Sequence, residues 1–501
     1  MKKKVWVQRG ISVISSPCTT MSLKQRQIAF AASLVCMTCA GTLYLFSAYA
    51  QSLQTKRGLS QTALNWIAST GGIGQYLSGP VWGRLSDQSD RRRLCAIAGI
   101  LLFTGYASLA WGYVSPNIPV SVLALAYACV GLGSSGIVNS VLATSVKNYL
   151  ERDHGFAVGV PVAFFGLSAF LFSQLQRVFV SVEGGLDVFG FLLFVGTVAG
   201  GGALVGSVFL HDCSAALIRR EHEGGVTNSE QDDTESQDEE AVLAGISSPP
   251  RFPTLHTSES SPLVPTPTSL AGTLIANANN NSLLQNRDAW LLFLSFILLS
   301  GTGLMYINNV GAILIALLPA STPPATLQNA QRMHVSLLSI CNCLGRIATG
   351  LGSDFLTSRF KLTRLLGLVS GGVLIALALV GGLAVRGADG LVPVTLALGI
   401  GYGAIFSSAP AIVSRWFGVE RFGANWGWFQ WAPAVGGQLC NLVFGMLLDR
   451  AKRGEVQCRG GVACFWDAFS VFLIGVLGSL GVLFVLKGAR GGWIVRRTAD
   501  V

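Results

Sequence analysis

The chain has 501 residues, of which 51% are apolar and only 12% charged. An ordinary soluble domain carries about 25% charged residues, so this composition excludes one and points to a polytopic membrane protein. The net charge of +10 then reflects basic residues in cytoplasmic loops rather than a nucleic-acid partner.

Sixty glycines in such a chain suit membrane helices, where small residues let backbones approach. The N-terminus, "MKKKVWVQRGISVISSPC", is basic but has no unbroken apolar core, so it is a poor signal peptide. Met21 offers an alternative start, and the first apolar helix is expected to act as an uncleaved targeting signal.

Apolar runs of roughly 20 residues, each long enough to cross a bilayer, predict twelve spans. The first six lie near residues 28–50, 62–82, 95–114, 119–146, 157–177 and 188–210. The second six lie near 290–318, 331–353, 365–385, 391–414, 423–447 and 467–486. Between them runs a polar stretch, residues 211–288, acidic at first and then rich in Pro, Ser, Thr and Asn. Such a composition buries too little apolar surface to fold and reads as a disordered linker. The expected organisation is a tail (1–27), a six-helix half (28–210), the linker, a second six-helix half (289–486) and a tail (487–501). With the N-terminus in the cytoplasm, 25 Lys and Arg fall on the cytoplasmic side and 9 opposite. That bias places both termini and the linker in the cytoplasm.

The second span ends "GRLSDQSDRRR", with Gly83-x-x-x-Asp87 followed by Arg91, Arg92 and Arg93. The eighth ends "GLGSDFLTSRFK", with Gly350-x-x-x-Asp354 followed by Arg359 and Lys361. The same pattern at the same end of the second helix of each six marks duplicated halves, a signature of secondary transporters.

The first copy resembles the helix 2–3 loop motif of the major facilitator superfamily, G-x-x-x-D-R-x-G-R-R. Gly83, Asp87, Arg91 and Arg92 match; Gln88 and Asp90 depart. The resemblance implies the twelve-helix major facilitator fold, and a loop that gates alternating access through charge pairing. "CAGTLYLFSAYAQSL" in the first span, "GTGLMYINNVGAI" in the seventh and "RFGANWGWFQWAPAVGG" entering the eleventh resemble the nodulin-like branch. They are most similar to the fungal Mch-type monocarboxylate-transporter homologues, which are assigned to the vacuolar membrane. That resemblance implies a carrier coupled to protons or another solute. The first span nevertheless lacks the acidic, glycine- and tryptophan-rich signature and the lysine of authentic monocarboxylate carriers.

Arg346 stands eight residues before Asp354, about 12 Å along a helix and so near the midplane. An arginine there costs roughly 2.5–3.5 kcal/mol even on lenient scales and must face the bundle interior or a wet cavity. No other Lys, Arg, Asp or Glu falls so deep in the predicted spans. Its partner is either a substrate carboxylate or phosphate, which the planar fork suits, or backbone carbonyls and asparagines such as Asn308, Asn309 or Asn342. Monocarboxylate carriers have an arginine in helix 8 one turn after an aspartate. Arg346 matches that arginine, and Asn342 holds the place of the aspartate, where it cannot exchange a proton at neutral pH.

Asn308, Asn309 and Gly311 are expected to interrupt the seventh span, and Gly401, Gly403 and Pro410 the tenth, as broken helices do around transporter cavities. Trp426, Trp428, Gln430 and Trp431 read as an interfacial belt. Cys458 and Cys464 fall in a non-cytoplasmic loop with two intervening glycines and are expected to form a disulfide. Seven other cysteines lie in apolar runs as small core residues. Glu259, Leu263 and Val264 resemble an acidic dileucine sorting signal for the vacuole; the plasma membrane is the alternative address. No nucleophile–base set, metal cluster or P-loop stands out, so no cofactor, metal or enzyme activity is expected. The expected partners are a small-molecule substrate and the lipid bilayer, around a monomer. A transporter-like sensor that binds a solute without moving it is the competing class.

Overall fold

A computed structural model describes residues 22–59, 61–179, 187–211, 283–452 and 458–489. The proposed sorting residues Glu259, Leu263 and Val264 lie outside them. The described residues form fifteen α-helices. In the first half these are α1 (Leu23–Ala40), α2 (Phe46–Arg57), α3 (Gln61–Leu77), α4 (Gly79–Gln88), α5 (Arg91–Val114), α6 (Val120–Asn148), α7 (His154–Leu175) and α8 (Val188–Phe209). In the second they are α9 (Arg287–Leu317), α10 (Pro324–Phe360), α11 (Leu365–Leu383), α12 (Leu391–Phe417), α13 (Phe422–Phe429), α14 (Trp431–Lys452) and α15 (Trp466–Ala489).

Among the described residues, eleven helical segments are long and apolar enough to cross a membrane. The remaining span is divided at Ser78 into α3, of 17 residues, and α4, of 10. Joining α1 to α2, α3 to α4 and α13 to α14 gives six spans in each half. The two halves pack alike. The third span lies against the fourth and sixth, as the ninth does against the tenth and twelfth. The first lies against the fifth and sixth, as the seventh does against the eleventh and twelfth. Between the halves, α7 packs on α10 and α12, while α4 and α6 pack on α13.

The seventh and tenth spans are not interrupted. α9 runs unbroken through Asn308, Asn309 and Gly311, and α12 through Gly401, Gly403 and Pro410. Asn309 donates back to the Met305 carbonyl, four residues earlier, so its amide is absorbed without opening the helix. The breaks occur instead in the first, second and eleventh spans. Gly41–Leu45 winds as a 3-10 turn. Carbonyls in and beside this turn are met by hydroxyls from neighbouring helices: Ser134 donates to Ala40 O, Tyr106 to Thr42 O and Tyr127 to Leu43 O. Away from water, irregular backbone persists only where side chains supply such partners. The breaks at Ser78 and Gln430 face each other, since a β-carbon on Gly79 would lie 2.6 Å from Gln430 Oε1.

Candidate functional site

Asp87, at the end of α4, accepts from the backbone N–H of Gly423 (3.0 Å) and Ala424 (2.7 Å). It thereby caps α13 of the other half. Asp354, late in α10, accepts from the N–H of Gly155 (2.9 Å) and Phe156 (2.6 Å) and caps α7 of the first half. Helix N-termini leave N–H groups unpaired and carry partial positive charge, so a carboxylate there is doubly favoured. The close approach requires glycine. A β-carbon on Gly83 would collide with the Gly423 carbonyl, and one on Gly350 would lie 2.5 Å from that of Gly155.

Each aspartate also meets a cation that its motif does not contain. Lys147 Nζ lies 3.8 Å from Asp87 Oδ1, and Arg364 Nη1 lies 2.6 Å from Asp354 Oδ1. Of the motif arginines, Arg91 is buried and donates through Nε to Ser86 O at 2.8 Å. Arg92 presents its backbone N–H to Asp90, the N-cap of α5. That cap gives the departure at Asp90 a local role. Further bonds join the halves around these caps. His154 Nδ1 and Ser414 Oγ are 2.7 Å apart, and Arg364 donates to Arg152 O at 3.0 Å. Deeper in, Gln430 Nε2 donates to Asn139 Oδ1 at 3.2 Å and Asn139 Nδ2 to Gln430 Oε1 at 3.4 Å. The end of the bundle that holds Asp87 and Asp354, the motif end, is thus sealed by two capped crossings. Trp426 and Gln430 turn into this seal, at 5% and 6% exposure, rather than into an interfacial belt.

Below the seal sits Arg346, only 4% exposed. Its Nη1 donates to the Val162 carbonyl of α7, across the seam, and its guanidinium lies 5.5 Å from the Phe406 ring centroid. Its electrostatic neighbours are Tyr402, Tyr44, Cys343 and Tyr76; no carboxylate pairs with it among the described residues. Arg346 Nε and Asn342 Oδ1 are both buried without a hydrogen-bond partner. Both side chains face Gly166 of α7, whose β-position would lie 3.0 Å from Arg346 Nη1 and 3.4 Å from Asn342 Nδ2. Tyr44 and Tyr76 share a hydroxyl contact of 2.8 Å. Tyr44 packs edge-on against Phe165 at 5.6 Å and stays 41% exposed. The site is one cation with a ring of phenols and phenyls around it.

Asn342 and Arg346 therefore come together, as their spacing implies. Asn309 is engaged elsewhere, donating to Asn441 Oδ1 at 2.8 Å, and Asn308 is exposed. Tyr44, Tyr76, Tyr402 and Phe406 were not singled out by sequence reasoning. A tyrosine in the middle of an apolar span is a weak signal, because its ring suits a core as well as a cavity. Lys147 and Arg364 carried a better one, since each is a basic residue at the same end as a motif aspartate. Cys458 and Cys464 are bonded, with an S–S distance of 2.06 Å.

Comparisons agree with this architecture. Residues 28–385 match the Major Facilitator Superfamily. A probable transporter mch1 of Neurospora crassa is 27% identical, over 96% of this chain and 92% of its own. A probable transporter MCH1 of Debaryomyces hansenii is 28% identical, over 94% and 93%. Among solved structures, the transporter FucP in the outward conformation aligns with a TM-score of 0.56 at 13% identity, over 91% of this chain and 99% of that one. The proton:xylose symporter XylE, bound to 6-bromo-6-deoxy-D-glucose, aligns with a TM-score of 0.58 at 13% identity, over 90% and 94%. With its duplicated six-helix halves and a family match over most of its length, the chain belongs to the Major Facilitator Superfamily.

Proposed function

We propose that this protein is a secondary carrier of a small organic anion, working by alternating access, with Arg346 as the counter-charge for its substrate. The observation that carries the reading is a buried guanidinium with a carbonyl and a phenyl face as neighbours but no carboxylate. A charge so placed is costly unless something anionic completes it. Arg346 also bonds across the seam, so an anion that takes the guanidinium away from Val162 O loosens one link between the halves. Asn342 and the phenols of Tyr44, Tyr76 and Tyr402 supply hydrogen bonds to the rest of the solute.

By the distribution of basic residues, the motif end faces the cytoplasm. The capped crossings seal it in this reading. Gly83, Asp87, Gly350 and Asp354, with Arg91 and Arg92 packed beside them, form the gate. The resemblance to Mch-type proteins supports the vacuolar membrane; the plasma membrane is the alternative address.

The test is uptake by purified protein in proteoliposomes. Small carboxylates, phosphates, amino acids and sugars are offered with and without a pH gradient, in wild type and Arg346→Gln. The expected result is uptake of an anion that the variant loses while remaining folded. Undiminished anion uptake by the variant would make Arg346 structural. Saturable binding without flux would favour the sensor.

A further inference from the structure

His334 lies on α10, twelve residues before Arg346 and so about 18 Å nearer the far end. It is 1% exposed. Its Nδ1 lies 2.7 Å from Thr395 Oγ1 on α12. The Tyr306 hydroxyl, on α9, lies 2.7 Å from the same oxygen. Thr395 Oγ1 in turn reaches the Leu391 carbonyl at 2.9 Å. A hydroxyl has one proton and two lone pairs. Leu391 O can only accept, so satisfying all three contacts sends the threonine proton there. Tyr306 and His334 are then the donors, and the hydrogen of the neutral ring sits on Nδ1. Nε2 keeps its lone pair and has no hydrogen-bond partner among the described residues.

Among the described residues, no charge meets the ring. The titratable group facing it from α9 is Tyr306, and α12 presents Thr395. On α10 itself, Arg332 is exposed. No charged side chain among the described residues acts on the imidazole electrostatically. The helices it joins are those that build the central site, since α10 carries Asn342 and Arg346 while α12 carries Tyr402 and Phe406.

We infer that His334 is a proton-binding site, taking H+ at Nε2 from the far end of the bundle, and that its occupancy shifts the helices holding the central site. One N–H bond forms, the ring gains one positive charge, and the Nδ1 bond to Thr395 survives. The new charge has no anion beside it, which is costly in a buried position. It is better accommodated where the far ends of α9, α10 and α12 part and admit water. Protons on that side therefore bias the equilibrium between the carrier's states. The consequence for transport rests on the carrier reading; the proton site does not.

The test uses the full chain with 15N-labelled histidine in lipid nanodiscs. The His334 resonance is identified by its loss in His334→Gln. The Nδ1–H tautomer is expected at alkaline pH, with uptake of one proton as the sample is acidified. An Nε2–H tautomer, or a ring that stays neutral throughout, would overturn the site. Thr395→Val gives a second handle that does not depend on His334→Gln folding. Removing the acceptor is expected to shift the tautomer toward Nε2–H, and an unchanged tautomer would count against the network. For the conformational step, spin labels go on Asn117→Cys and Ser321→Cys, one exposed far-end loop residue from each half. Their separation is expected to increase on acidification, and to stay constant when His334→Gln is added. Equal shifts with and without His334, or no shift at all, would sink the coupling. A titrating His334 in a protein that moves no anion would remove the carrier reading and leave the proton site standing.

Discussion

The two motif copies make the same crossing with different chemistry. Both aspartates cap a helix of the opposite half through two backbone N–H groups. Asp354 also holds a close ion pair with Arg364, whose side chain is 2% exposed and reaches on to Arg152 O. Asp87 meets Lys147 at 3.8 Å and feels the charge of the buried motif arginine Arg91. Duplication preserved what the backbone demands, a glycine and a carboxylate at a helix start. The nearest cation differs between the halves, Lys147 in one and Arg364 in the other, and sets how firmly each crossing is locked. The Asp354 crossing is the firmer, because a planar guanidinium at hydrogen-bond distance gives charge-assisted bonds that an ammonium at 3.8 Å does not.

Substitutions can break that comparison in order of effect. Gly350→Leu forces bulk into the Gly155 carbonyl, and the motif end should fail to seal. Cysteine labels placed there would react at the rate of an open site, whereas labelling as slow as wild type would show that the crossing tolerates bulk. Asp354→Asn leaves Arg364 buried without its anion and is expected to cost about 3–5 kcal/mol of the sealed state. Thermal unfolding and motif-end labelling both report it. Asp87→Asn keeps one acceptor for the α13 N-terminus and loses a weaker pair, with an expected cost of about 1–2 kcal/mol. If the two asparagine variants unfold alike, the asymmetry drawn from Arg364 is wrong. Lys147→Met is expected to change stability by no more than about 1 kcal/mol. Lys147→Arg should sharpen the contrast by moving the first copy toward the second, and an Asp87 crossing no slower to open in that variant would argue that the cation is incidental.

A second contrast lies between the first and seventh spans, which hold equivalent places in the two halves. Asparagines and a glycine made the seventh look breakable, yet it is continuous, because Asn309 bonds back to its own helix and to Asn441. The first span breaks at Gly41–Leu45, where three hydroxyls from neighbouring helices stand ready for carbonyls in and beside the turn. Composition within a span does not say whether its backbone finds partners outside it. Replacing Tyr106 and Tyr127 together with phenylalanine should destabilise the turn by about 1–3 kcal/mol per stranded carbonyl. Unchanged thermal stability in that double variant would show that the turn does not depend on the hydroxyls.

The spans, the six-plus-six division, the repeated G-x-x-x-D and the isolation of Arg346 were all legible in the sequence. Each depends on apolar length or on residues within a turn or two of one another, and the cost of a charge in hydrocarbon is fixed wherever the chain goes. Tertiary structure alone decided that Asp87 caps a helix 336 residues away, that Arg346 reaches the Val162 carbonyl, and that Tyr44, Tyr76 and Tyr402 surround it. Those partners are chosen by the packing of whole helices. Any of several serines, tyrosines or carbonyls along an apolar span can satisfy a buried polar group, and only the crossing of one helix against another selects which one does.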